Sequence, residues 1–193
     1  MTSTATAPVV LDSLQRRMRA LHSLYHDAVD TMTIEHVNHF EREGVVPIAF
    51  CLFHIVNMMD VSFMVMTGTP PIWNAEWQER VQMSINDHGK HRTVDEMVHQ
   101  RIGDYDAFKE YMSAVFARTE AWLAGLDATE LDRVVVTRPF PPQIASTYSA
   151  RVAGADGITL LDATECWIYQ HGLRHMGEIE HARALVGLQG MTS

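Results

Sequence analysis

The segment Leu161-Asp-Ala-Thr164-Glu-Cys-Trp-Ile168-Tyr-Gln-His171-Gly-Leu-Arg-His175-Met-Gly-Glu178 carries the reading on which the fold turns. Leu161, Thr164, Ile168, His171, His175, Glu178, Ala182 and Leu185 recur at spacings of three and four, which predicts a helix from near Ile158 to near Gly187. One turn apart on one face, His171 and His175 would have Cβ atoms about 5–6 Å from each other, so both rings can reach one ion. Polar groups on a core-facing stripe cost stability unless something satisfies them. His54 stands in a comparable place, between Phe50 and Met58 of another apolar stretch, and completes a set of three. Three protein ligands leave a coordination position for water or substrate, which separates a catalytic site from a closed structural one.

Three more helices flank this one. The first reads Leu11, Leu14, Met18, Leu21, Tyr25, Ala28 and Met32, after a Pro8 that suits a helix start. A second begins near Pro47, continues through Phe50, His54, Met58, Val61 and Val65, and ends before Gly68. The third opens on the capping-box pattern Thr93-Val-Asp-Glu96 and reads Arg101, Tyr105, Phe108, Met112, Val115, Thr119, Trp122 and Leu126. Residues 33–46 are a short polar link. From Gly68 to Arg92 the chain is longer than two antiparallel neighbours need, which predicts a crossover between the second and third helices. Residues 127–157 read as an irregular or small-hairpin insertion, with Arg133-Val-Val-Val-Thr137 leaning to strand. The expectation is a single all-α four-helix bundle domain over 1–193, with 1–7 a flexible N-terminus.

Composition narrows the function. Apolar residues make up 47% of the chain and charged ones 20%, which is enough to bury a core. A net charge of -9 excludes the Lys and Arg surplus that phosphate-backbone binding needs, so no nucleic acid is expected. The longest apolar run, Val45 to Met59, is too short to cross a bilayer, and Met1 to Ala7 has no signal-peptide pattern. A cytoplasmic protein with no membrane partner follows. Cys51 and Cys166 read as buried, reduced thiols.

The remaining histidines fit less well. His22 and His26 have the same spacing as His171 and His175, but lie on the flank of the first stripe, where a solvated role is expected. Glu96–His99 and Glu178–His181 supply two E-x-x-H pairs, yet the first helix has no Glu, so a di-iron bundle fails. A zincin fails because Gly172 stands where H-E-x-x-H requires Glu. The methionines and the four tryptophans read as packing residues.

The single His in Phe53-His54-Ile-Val-Asn57, the His171-x-x-x-His175 pair and the closing Gly187 together resemble the DinB-like superfamily, the DinB/YfiT-type metal-binding four-helix bundles. That resemblance implies up-down-down-up topology with a long second connection, and it makes His54, His171 and His175 the metal triad. It also implies chemistry: relatives include transferases and isomerases using low-molecular-weight thiols of the mycothiol or bacillithiol type, and others described as metal-dependent hydrolases. Glu178 stands where many relatives have Gln and is the candidate general base, with a ligand or supporting role left open. A divalent ion, zinc before nickel or iron, would act on a small-molecule substrate, with thiol transfer ahead of hydrolysis on family grounds. A homodimer is compatible with this. The alternative is a non-catalytic bundle that binds a metal or small ligand.

Overall fold

The structure, a computed structural model, describes residues 6–191; most of the expected flexible N-terminus, residues 1–5, lies outside the described residues. Helix α1 (Ala7–Asp30) has Pro8 in its first turn and buries Leu11, Leu14, Met18, Leu21, Tyr25 and Ala28. Helix α2 (Ile48–Thr67) runs from Pro47 to Gly68 and is apolar nearly all round, as befits the innermost helix. Its 20 residues satisfy the length and composition of a membrane span, correcting the shorter run read from the sequence. Yet 78% of that span is buried among other helices, and it carries the fully buried carboxylate of Asp60.

Helix α3 (Tyr105–Gly125) starts later than the sequence suggested. The Thr93/Glu96 capping box is present, but it opens only the single turn Val94–Met97. The chain then pairs back on the crossover, with Gly103 N–H donating to Gln82 O and Asp104 N–H to Val81 O. Asp104 restarts the helix by accepting from Ala107 N–H at 2.9 Å. The Gly68-to-Asp104 connection thus contains the helix Ala75–Val81 as well. Asp60 ties it to the bundle, accepting from Ile72 and Trp73 N–H, from Tyr111 OH at 3.0 Å and from Arg118.

The insertion at 127–157 is not a tight hairpin. Strand β1 (Val134–Thr137) pairs antiparallel with β2 (Gly157–Thr159), and two short helices, Pro142–Ala145 and Tyr148–Val152, fill the connection. The last helix begins at Leu160, with Thr159 and Asp162 forming a capping box, passes through a π-helical segment at Thr164–Tyr169 and continues as α4 (Gln170–Leu185).

Side-chain pairs fix the directions of the four long helices. Antiparallel α1 and α3 are joined by His22–Glu120 and by Tyr105 OH to Val29 O. Parallel α1 and α4 are joined by Tyr25 OH to Gly172 O and by Arg183 to Ala28 O. Parallel α2 and α3 meet through Asn57–Tyr111 and Asp60–Arg118. Helices α2 and α4 are antiparallel, with Cys51 against Glu178 and Met66 against Thr164.

The π segment also rotates α4. Its wider turn shifts the buried stripe by one residue, from the expected His171, His175 and Glu178 to Gly172, Met176, Ile179 and Arg183. Position 172 faces α1 so closely that a Cβ there would lie 2.6 Å from Leu21 Cδ2. No side chain larger than glycine's fits without displacement. His171 and His175 are left half-buried toward α2, and Glu178 is exposed, which corrects its expected place on a core seam.

Candidate metal centre

The antiparallel crossing of α2 and α4 brings His54, His171 and His175 together, and one nitrogen from each lies within 4.8 Å of the other two. The His171 and His175 Nε2 atoms face each other at 3.0 Å. Ligands bound to one tetrahedral ion at about 2.0–2.1 Å would sit about 3.3 Å apart, so the spacing is close to what a shared cation needs.

Two of the three rings are held from behind. His54 Nδ1 meets the carbonyl of His88, and His175 Nδ1 meets Glu178 Oε2 at 2.7 Å. An acceptor behind a ring fixes the proton on that side and leaves the opposite nitrogen as a lone pair. That turns the His175 Nε2 lone pair toward His171 Nε2, an arrangement that a shared divalent cation would suit.

Burial keeps the rings neutral. It is the largest influence on all three, taking His54 down to about 4 and His171 to about 3, and lowering His175. Neutral imidazole is the ligand form.

Gly89 places the His88 carbonyl. It has φ +75°, and a Cβ there would stand 2.6 Å from the ring of Phe50. Phe50 in turn stacks on His54 at 5.4 Å between centroids. Asn86-Asp-His-Gly89 is legible in the sequence only as a turn, and nothing in it announces that a carbonyl will orient a ligand.

A cleft of about 280 Å³ opens onto His54 and His171, lined also by Cys166, Trp167 and Arg174. Glu178 is not part of its lining. Its carboxylate lies behind His175, where it also accepts from the buried Cys51 thiol at 3.7 Å. Burial and Glu178 together push that thiol far above its ordinary range.

The pair His22 and His26 lies elsewhere. His22 is 1% exposed, stacked on Phe116 at 4.0 Å and bonded to Glu120 at 2.7 Å, so the expected solvated role is corrected to a core one. His26 is half-buried at the edge of the same Phe116 ring.

A family model described as the DinB superfamily matches residues 15–179. No curated protein matches the chain. Among solved structures, a conserved protein from Enterococcus faecalis has a similar fold, with a TM-score of 0.66 at 16% identity over 97% of this chain and 99% of that one. At that identity the likeness speaks to the fold alone.

Proposed function

Because the chain belongs to the DinB superfamily, we propose that it is a metal-dependent enzyme acting on a small molecule at His54, His171 and His175. The observation that carries this reading is the convergence of one nitrogen from each ring beside a cleft that opens onto His54 and His171, with the His54 and His175 rings backed by acceptors. When bound, a divalent ion, zinc before nickel or iron, would lower the pKa of a water or thiol at its open position. Glu178 orients His175 from outside the cleft and is a positioning residue in this account, rather than the base. Thiol transfer stays ahead of hydrolysis for a reason in the lining: among the described residues no carboxylate lines the cleft to take a proton from water. A low-molecular-weight thiol, with a pKa near 8.5, needs less help. Two free, buried cysteines suit a reducing, cytoplasmic compartment.

The test is turnover of an electrophile, such as a chlorodinitrobenzene, by zinc-loaded protein with and without a low-molecular-weight thiol. The proposal expects thiol-dependent turnover that His171→Ala abolishes. Equal turnover by wild type and His171→Ala would remove it, and thiol-independent turnover would favour hydrolysis.

A further inference from the structure

The half-buried stripe of α2 beyond His54 is the part of the molecule that the metal centre leaves unexplained. The sequence reads Met58, Val61 and Val65 as a core face, yet Val65 is 46% exposed and Met58 and Val61 are only partly covered. These three residues form one wall of a second cleft of about 540 Å³, closed on the other side by Ile144 from the insertion. Met58, Lys90, Thr147 and Trp167 line both this cleft and the one at the histidines, so the two are one continuous groove. Its size falls in the range of small-molecule sites.

The charge along the groove runs against that of the whole chain. The protein has 24 acidic and 15 basic residues, yet among the described residues no Asp or Glu lines either part. Lys90 and Arg174 are the cations there. Among the described residues the Lys90 ammonium donates only to the Gln143 carbonyl, at 3.4 Å, and the Arg174 side chain has no hydrogen-bond or ion-pair partner. Seven of the other basic residues are committed to carboxylates. Two cations without carboxylate partners beside the histidines, followed by an apolar trough, describe the chemical opposite of an anionic head on an apolar tail.

We propose that the groove selects substrates with a carboxylate or similar anion, held by Lys90 and Arg174 near the histidines, and an aliphatic or aryl limb laid along Met58, Val61, Val65 and Ile144. This deepens the proposed function, resting on the cleft being its substrate site. Lys90 and Arg174 are binding residues in this account, and Val65 sets how deep an apolar limb can go.

Isothermal titration of the full chain with octanoate, octanamide and acetate, before and after chelation, tests the proposal. Octanoate is expected to bind about tenfold or more tightly than octanamide, since charge-assisted contacts are lost with the neutral head. Acetate should bind more weakly than either. Combining Lys90→Gln with Arg174→Gln, both exposed positions, should bring octanoate down to octanamide, and Val65→Asp should weaken both eight-carbon probes. Equal binding of octanoate and octanamide, or an unaffected double variant, overturns it. If binding needs the ion but ignores Lys90 and Arg174, the inference falls and the metal reading stands. If the protein neither retains nor rebinds a divalent ion yet keeps the Lys90- and Arg174-dependent preference, the inference stands and the metal reading falls.

Discussion

The carboxylate of Glu178 lies 2.7 Å from His175 Nδ1, on the side of the ring away from His54 and His171. A carboxylate in that position makes the imidazole a better ligand and holds its orientation, and losing such a partner costs about 10–100-fold in metal affinity. Glu178→Ala is expected to weaken zinc binding by that factor without changing the one-to-one stoichiometry, and Glu178→Gln to weaken it less. A variant that keeps full zinc affinity but loses turnover would instead make Glu178 the base.

Gly89→Ala is predicted to damage the site from a distance. A non-glycine residue at φ +75° is strained, and its Cβ would strike the Phe50 ring. The loop must move, taking the His88 carbonyl off His54 Nδ1. A loss of about 1–3 kcal/mol in stability is expected, together with weaker zinc binding, read by thermal melting and competition with a chromogenic chelator. Unchanged zinc affinity would show that His54 does not depend on this carbonyl.

His22 separates packing from ligation. Replacing it with Ala removes the stack on Phe116 and the bond to Glu120, so a loss of about 1–3 kcal/mol in stability is expected. Metal content should stay at the wild-type value, in the single variant and in the double variant with His26→Ala. A fall in stoichiometry would mean that the wrong histidine pair has been assigned to the ion.

The buried histidines also set a pH dependence. In the unfolded chain they titrate near about 6.5, whereas in the folded chain burial holds His54 at about 4 and His171 at about 3. As pH falls, the unfolded chain takes up protons first. The stability these rings contribute is therefore full above about 6.5 and lost progressively as pH falls toward 4 and 3. Metal-free protein should melt at a temperature that drops across that window, and His171→Ala should flatten part of the drop. Proton competition for the ion, which an unperturbed imidazole would show below about 6.5, moves lower for the same reason. Identical pH profiles for wild type and variant would contradict the assignment.

The sequence revealed the four helices because each carries an apolar stripe, and every residue of the α1 stripe, from Leu11 to Met32, is buried. It also revealed the three histidines, since polar residues inside such stripes stand out. What stayed hidden depends on tertiary context. The π segment at Thr164–Tyr169 has no sequence signature, so the one-residue shift that exposes Glu178 could not be read. Periodicity does not distinguish the Met58–Val65 stripe from a core face, because the insertion that leaves it half-covered comes from more than seventy residues away. The Asp60–Arg118 pair and the His88 carbonyl were hidden for the same reason: their partners lie 58 and 34 positions distant.

Metal content, paired with melting temperature, tests the central claim most directly. Protein purified without a metal-affinity tag should contain one equivalent of a divalent ion, and His54→Ala, His171→Ala and His175→Ala should each lose most of it. An ion at a hundred times its dissociation constant stabilises the fold by about 2.7 kcal/mol, so chelated wild type should remain helical but melt at a lower temperature, and the three variants should show little response to chelator. A wild type that neither retains nor binds zinc, nickel or iron, with a melting curve unmoved by chelator, would contradict the account.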